Sequence, residues 1–343
     1  MKILSVIGAR PQFIKAAVFR KFCEQNNIQE TLINTGQHYD PEMSSKIFDD
    51  LGVKSADYSL KVNGRSHASM TGEMMVNVET VLLEKKPDLV NVYGDTNTTV
   101  AAAMAAAKLN IPIMHVESGL RSFNKKMPEE INRIITDHVS DYLFCSTGHA
   151  VNNLFKENIK QNVHHVGDIM FDAIHVFKDL FKFPKLIKLN NKKLAVITVH
   201  RAENLSNRDN LINIIKYCER FLDEYQLIFP VHPNTRKHIE NYNILTNDII
   251  LINPLDYVEM QGLLAEAELV LTDSGGLQKE AYFHNAKCIT LRSETEWTET
   301  IECGWNKLWT SKGYKKIQEI KDYGRGDCCE KIWTVIEKSF SKN

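Results

Sequence analysis

The chain has 343 residues, and at roughly 150 residues per domain that length suggests two domains. Hydrophobic residues make up 43% and charged residues 25%, and the net charge is −1, so the composition is globular and lacks the basic excess of a nucleic-acid binder. No apolar run approaches the roughly 18 residues that a membrane helix needs, so no membrane association is expected.

Short β-branched or aliphatic runs recur in chain order, each followed by helical spacing, which predicts βα units around parallel sheets. In the first half these strands are predicted near 2–7, 30–35, 88–93, 111–116, 142–145 and 163–166. In the second half they fall near 194–199, 226–230, 249–252, 268–272 and 287–291. Between the halves, Phe181 to Lys193 holds a proline, a lysine cluster and paired asparagines, and reads as a linker. From about Asp327 to Phe340, Cys329, Ile332, Trp333, Ile336 and Phe340 share one helical face, which predicts a docking helix that could reach both domains. The apolar run at Met1–Gly8 is too short for a signal peptide, so a cytoplasmic location is expected. Seven scattered cysteines (Cys23, Cys145, Cys218, Cys288, Cys303, Cys328 and Cys329) show no C-x-x-C spacing and read as reduced packing residues, with no zinc knuckle indicated.

In a parallel α/β sheet ligands bind beyond the carboxyl ends of the strands, where helix N-termini present unpaired N–H groups. The residues following each strand are therefore the candidates. After the first comes Gly8-Ala9-Arg10-Pro11-Gln12-Phe13-Ile14-Lys15, a glycine turn with a proline suited to a helix start and two cations. Gly94-Asp95-Thr96 and Glu117-Ser118-Gly119 follow two later strands of the same half. The second half offers His200-Arg201-Ala202-Glu203-Asn204, His232-Pro233-Asn234 and Asp273-Ser274-Gly275-Gly276 at its own strand ends.

Each candidate has a plainer reading. Arg10 and Lys15 could be surface charges, His200 a satisfied core histidine, and Ser274-Gly275-Gly276 an ordinary turn into a helix. Glu280 lies about one and a half helical turns past Ser274, where it could accept sugar hydroxyls or simply face solvent. Pro128-Glu129-Glu130 reads as a helix start, and the helix dipole alone would favour one of its acids. Asp95 and Glu117 resist that treatment: each closes an apolar strand, where burial raises a carboxylate's proton affinity and suits it to proton transfer.

Eight segments in chain order then resemble the non-hydrolysing UDP-N-acetylglucosamine 2-epimerase family: G-A-R-P-Q-F-I-K (8–15), T-G-Q-H-Y-D (35–40), Y-G-D-T-N-T-T (93–99), H-V-E-S-G-L-R-S (115–122), M-P-E-E-I-N-R (127–133), T-V-H-R-A-E-N (198–204), P-V-H-P-N (230–234) and T-D-S-G-G-L-Q-K-E-A (272–281). The resemblance implies an α/β, GT-B-like fold of two Rossmann-like domains with parallel sheets facing a central cleft. The domains would be 1–172, joined by a returning C-terminal helix at about 327–343, and a UDP-binding domain at 173–326. It further implies interconversion of UDP-N-acetylglucosamine and UDP-N-acetylmannosamine, by elimination of UDP to a 2-acetamidoglucal and its re-addition. No cofactor or metal is implied; a UDP-sugar is the partner, with no nucleic acid or membrane, in a homodimer serving cell-surface polysaccharide biosynthesis.

By the same resemblance Asp95, Glu117 and Glu129 match the acid/base carboxylates, without showing which of them removes the proton. Arg10, Lys15 and His200 match diphosphate and leaving-group contacts, beside the Ser274, Gly275 and Gly276 amides, and Glu280 matches the ribose-binding acid. Two segments depart from the pattern. Gln37-His38-Tyr39-Asp40 replaces a segment tied in many bacterial members to activation by a second substrate molecule. Thr295-Glu296-Trp297-Thr298-Glu299 replaces T-E-R-P-E and also looks like relatives acting on UDP-2,3-diacetamido uronic acids or 6-deoxy sugars. The alternatives are therefore a 2-epimerase of such a modified UDP-sugar, a hydrolysing 2-epimerase that releases free sugar, and a GT-B glycosyltransferase.

Overall fold

The computed structural model describes residues 1–37, 41–64 and 66–341, with backbone only for 41–45. His38, Tyr39 and Asp40 lie outside the described residues. Two compact units form: Met1–Asp179 with the segment from Lys321 onward, and Leu180–Ile320.

The first unit runs β1 (Lys2–Ile7), α1 (Arg10–Gln25), β2 (Gln29–Asn34), α2 (Pro41–Asp50), β3 (Tyr58–Ser59), α3 (His67–Lys85), β4 (Leu89–Tyr93), α4 (Asn97–Lys108), β5 (Ile113–Val116), α5 (Pro128–Val139), β6 (Tyr142–Cys145), α6 (Gly148–Lys156), β7 (Val163–His165) and α7 (Ile169–Phe177). Among the described residues its strands lie in the order β3-β2-β1-β4-β5-β6-β7, all parallel. The chain winds one way through β1, β2 and β3, then returns to β4 on the other side of β1. The loops after β1 and β4 therefore diverge, and the carboxyl edge between them is where such a sheet accepts a ligand. Strands β1 and β4 are aliphatic and buried almost throughout, as sheets covered by helices on both faces require. Helix α4 starts at Thr96, whose Oγ1 accepts the Thr99 N–H at 3.3 Å. Its alanine-rich body is buried, and the small side chains let α3 and α5 pack against it.

The second unit runs β8 (Lys193–Thr198), α8 (Ala202–Leu205), α9 (Arg208–Glu219), β9 (Tyr225–Pro230), α10 (Pro233–Asn241), β10 (Ile250–Ile252), α11 (Tyr257–Ala265), β11 (Leu269–Thr272), α12 (Gly275–Phe283), β12 (Lys287–Thr290), α13 (Thr298–Glu302) and β13 (Asn306–Leu308). Its order is β10-β9-β8-β11-β12-β13, again all parallel, with the same reversal between β8 and β11. Alternate residues of the same strands fill two cores: Ile197, Leu227, Phe229 and Leu271 on one face, Val196, Ile228, Val270 and Cys288 on the other. The last helix, α14 (Cys328–Phe340), belongs to the first unit, where it packs on α7 and α1 through Cys328, Cys329, Ile332 and Ile336. The Asp172 carboxylate caps it, accepting the Cys328 and Cys329 N–H groups at 3.0 and 2.9 Å.

Two short strands, β3 and β13, escape the sequence reading. Residues 181–193 are not a free linker: the Lys182 N–H donates to the Val258 carbonyl at 3.3 Å, and Ile187 is buried in the second unit's core. The chain crosses between units at 179/180 and 320/321 rather than at 172/173 and 326/327. At the second crossing Tyr323 is buried and its carbonyl accepts the Asp168 N–H at 3.1 Å, which fixes the segment before α14 to the first unit. The Tyr323 carbonyl lies 2.7 Å from where a Cβ on Gly167 would stand, and Gly167 has φ +92, so only glycine fits there. No disulfide joins the seven cysteines, and six of them are buried. Among the described residues no helix is long and apolar enough to cross a membrane, and no cluster of three His, Cys, Asp or Glu side chains could hold a metal.

Candidate active site

The first unit's site grows from the β1–α1 turn. Gly8 has no room for a side chain, since a Cβ there would stand 2.2 Å from both Thr35 Oγ1 and Thr98 Oγ1. Gln12 is buried and ties this turn to the next loop. Its Oε1 accepts the Gly8 and Ala9 N–H groups at 2.9 and 3.0 Å, and its Nε2 donates to the Tyr93 carbonyl at 2.7 Å and to Thr96 and Thr99 Oγ1 at 3.0 Å. One turn further along α1, Lys15 is 6% exposed and forms an ion pair with Glu117. Arg10 is exposed at the start of the helix.

Glu117 follows β5 in the left-handed region at φ +70, a strained conformation for a side chain of this size. The strain is held in place because the Glu117 and Ser118 N–H groups both donate to the Phe144 carbonyl of β6, at 3.0 and 3.1 Å. The turn after β4 meets the same group: Glu117 Oε2 lies 3.3 Å and Lys15 Nζ 3.9 Å from the position a Gly94 Cβ would take. Asp95 comes next, half-buried, and pairs with Arg133 of α5. Burial raises its proton affinity; Arg133 opposes that, and the charge of Glu117 adds to it, so the Asp95 carboxyl sits above its ordinary value. The ends of β1, β4 and β5 thus bring Lys15, Asp95 and Glu117 into one electrostatic cluster.

Helix α5 begins as expected, with Pro128 first and Glu129 and Glu130 in its first turn. Glu129 is exposed, and its neighbour Glu130 is buried. The Glu130 carboxylate accepts the Ser122 N–H and Oγ–H at 2.8 and 2.9 Å and the Phe123 N–H at 2.8 Å, with Arg133 Nη1 at 3.1 Å. Burial pushes its carboxyl up, these donors outweigh it, and the net result lies below the ordinary value. Arg133 therefore links an acid that clamps the loop to Asp95, while its buried Nε has no partner of its own. Sequence reading gave Arg133 and Gln12 no role. The only available signal was an arginine one helical turn after the acid pair and an amide just after a glycine turn.

The second unit's edge is organised by Asp273, which is fully buried after β11 and had no role in the sequence reading. Its carboxylate accepts the His200 N–H at 3.0 Å, the Arg201 N–H at 2.9 Å and Asn204 Nδ2 at 2.9 Å, and its carbonyl accepts Arg201 Nε at 2.9 Å. The His200 ring stays nearly half exposed, with Nδ1 3.3 Å from the carboxylate. Ser274 is the N-cap of α12, yet its side chain makes no cap hydrogen bond, so the first amides of the helix stay open to another acceptor. Among the described residues outside its own helix turn, nothing lies within 4 Å of a Cβ placed on Gly276, whereas one on Gly275 would stand 2.5 Å from Glu296 Oε1. A carboxylate therefore already borders this helix end, with Arg292 Nη1 at 2.9 Å and Arg201 Nη2 at 3.9 Å from its oxygens, which is the signature of an anion site. Further along α12, Glu280 accepts Gln261 Nε2 at 2.8 Å, and Gln261 Oε1 lies 2.7 Å from His284 Nε2. Burial pushes the His284 imidazole down to about 4, so it is neutral and donates that proton, which fixes the amide's orientation toward Glu280.

Chemically, the first edge can accept and return protons beside cations, and the second can hold a phosphorylated ligand at a helix N-terminus. The profile of the UDP-N-acetylglucosamine 2-epimerase family matches residues 20–337. A UDP-N-acetylglucosamine 2-epimerase homolog of Methanococcus maripaludis is 46% identical over 94% of this chain and 92% of its own length. The UDP-2,3-diacetamido-2,3-dideoxy-D-glucuronate 2-epimerase of Pseudomonas aeruginosa is 45% identical over 90% of this chain and 88% of its own. Among solved structures, the Methanocaldococcus jannaschii UDP-GlcNAc 2-epimerase in complex with UDP-GlcNAc and UDP superposes with a TM-score of 0.80, at 35% identity over 98% of this chain and 100% of that one.

Proposed function

The chain belongs to the UDP-N-acetylglucosamine 2-epimerase family, and from that premise we propose that it interconverts UDP-N-acetylglucosamine and UDP-N-acetylmannosamine without hydrolysis. The observation that carries this reading is the convergence of Lys15, Asp95 and Glu117 at three strand ends of one GT-B-like α/β unit. The C2 proton of the sugar is barely acidic, so the C1–O bond must ionise as that proton leaves. A carboxylate takes the proton, the electron pair of the C2–H bond forms the C1–C2 double bond, and the C1–O pair departs on the β-phosphate as UDP. The 2-acetamidoglucal is then attacked at C1 by the same phosphate oxygen, while C2 receives a proton on the opposite face.

Asp95, Glu117 and Glu129 share the two proton transfers, and the raised proton affinity of Asp95 suits it to both taking and giving. Arg10, Lys15 and His200, with the Ser274, Gly275 and Gly276 amides, stabilise the charge that develops on the diphosphate. Glu280, oriented by Gln261, accepts the ribose hydroxyls. The chemistry requires neither cofactor nor metal. Product analysis tests the reading: UDP-GlcNAc should give UDP-ManNAc, and equal amounts of UDP and free sugar would make the enzyme a hydrolysing one.

The similarity to the diacetamido-glucuronate epimerase, together with Thr295-Glu296-Trp297 in the second unit, favours a modified UDP-sugar as the second reading. A panel of UDP-sugars compared by kcat/KM decides between them. In either reading the enzyme works in the cytoplasm and supplies an amino sugar for cell-surface polysaccharide. It pairs as a homodimer through its first unit, where the α5 N-cap Met127 and Ile131 and Ile135 of α5 are exposed at four-residue spacing, with Val76 and Leu83 on α3. Sedimentation should show a dimer that Ile131→Glu weakens.

A further inference from the structure

The buried histidine of β5 has no part in the chemistry above, yet its surroundings are unusual. His115 is fully buried, with Nδ1 2.7 Å from Asp137 Oδ1 and Nε2 2.7 Å from the Gly94 carbonyl oxygen. Both partners are acceptors. The ring therefore bridges α5 and the loop after β4. Asp137 is anchored on its other side as well. Its Oδ2 already accepts Arg121 Nη1 at 2.7 Å and the Gly119 N–H at 3.1 Å. Burial pushes the Asp137 carboxyl up, but His115 and Arg121 outweigh that and hold it below its ordinary value.

We infer that His115 is a positioning residue, bridging Asp137 and the Gly94 carbonyl, that fixes the loop bearing Asp95 to the strand bearing Glu117. Gly94 is the joint that needs fixing. It sits at φ +61, and glycine's freedom would let the Gly94–Asp95 peptide rotate. Strand β5 holds it from both sides, because the Gly94 N–H donates to the Val116 carbonyl at 3.0 Å and the Gly94 carbonyl accepts from His115. Asp95 and Glu117 therefore take their relative position from one peptide. The other charged groups around the ring are paired with one another. Arg121 forks onto Glu157 through Nε and Nη2 at 2.6 Å each, and Asp137 is the anion that faces the imidazole. The nearby Cys145 thiol is pushed up to about 12 by burial and stays neutral. Lys15 and Glu117, beside Gly94, pair with one another.

The role rests on the reading that Asp95 and Glu117 carry the proton transfers, and its test separates the two. In full-length enzyme labelled with 15N-histidine, the signal lost in His115→Gln identifies the ring. Its Nε2 should carry a proton hydrogen-bonded to the Gly94 carbonyl, and a ring that makes no such bond would overturn the inference whatever the substrate. Asp137→Asn removes the carboxylate facing the ring. It should weaken the hydrogen bond from Nε2 to Gly94 and lower kcat by 10- to 100-fold, with KM and UDP affinity within about threefold of wild type. Wild-type kcat in Asp137→Asn would also overturn it, and full turnover in Asp95→Asn would instead sink the underlying reading.

Discussion

The two units share one winding reversal and, apart from the extra strand β7, one strand order, yet their switch points do different things. In the first, the edge between β1, β4 and β5 holds charges against charges: Lys15 on Glu117, and Arg133 on Asp95 and Glu130. In the second, a single buried carboxylate, Asp273, gathers backbone and side-chain donors inward and leaves the first amides of α12 open. The fold supplies the place, and the loop residues supply either proton chemistry or anion binding. The difference extends into the cores. Glu30 pairs in register with Ile3, and Gln226 occupies the equivalent position opposite Leu194, so one unit buries an ionisable group where the other buries an amide.

The sharpest way to break this division is Asp95→Asn. Turnover should fall by about 10²–10⁴-fold, with UDP affinity by calorimetry unchanged, and equal losses in both would show that Asp95 is part of the nucleotide site. The counterpart in the second unit is Gly276→Val. A Cβ there has no neighbour within 4 Å among the described residues outside its own helix, so the melting temperature should hold while UDP affinity falls by at least about tenfold. Undiminished affinity would remove the α12 amides from the anion site. A smaller effect is expected from Glu296→Gln. Removing the carboxylate that borders the α12 N-terminus should tighten UDP binding by a few-fold at low salt, and weaker binding would mean that Glu296 helps to hold the ligand.

The core difference predicts the smallest effect on activity and a distinct effect on stability. Burial pushes Glu30 up to about 7, against the hydrogen bond from Ser5 and the charge of Arg20. Its proton is held more tightly in the folded than in the unfolded chain. The resulting stability is complete below the ordinary value of 4.5 and is lost as pH rises through about 7, a change on the order of 3 kcal/mol. Melting of the first unit should therefore drop between pH 5 and 8, and Glu30→Gln should flatten the curve. A profile identical in wild type and variant would remove Glu30 as the cause.

Most strands were legible as short stretches rich in aliphatic residues, because burial on both faces favours such stretches. The short β3 and β13 carry no such signature, and lysines and asparagines disguised residues 181–193 as a linker although Ile187 anchors them in a core. Asp95 and Glu117 stood out as acids closing apolar strands. Adjacent helical residues point about 100° apart, so sequence could not show that Glu130 is buried and Glu129 exposed. Gln12, Arg133, Asp273 and His115 stayed hidden for a related reason. Each matters through partners tens of residues away, such as Tyr93 for Gln12 and Gly94 for His115.

The central claim is that a carboxylate of the first unit takes the C2 proton and that C2 is reprotonated on the opposite face. Incubating the enzyme with UDP-GlcNAc in heavy water and reading C2 by mass and proton NMR tests it directly. The account predicts deuterium at C2 of the epimerised UDP-sugar, appearing as fast as epimerisation itself. Epimerised product that keeps its original C2 hydrogen would contradict it.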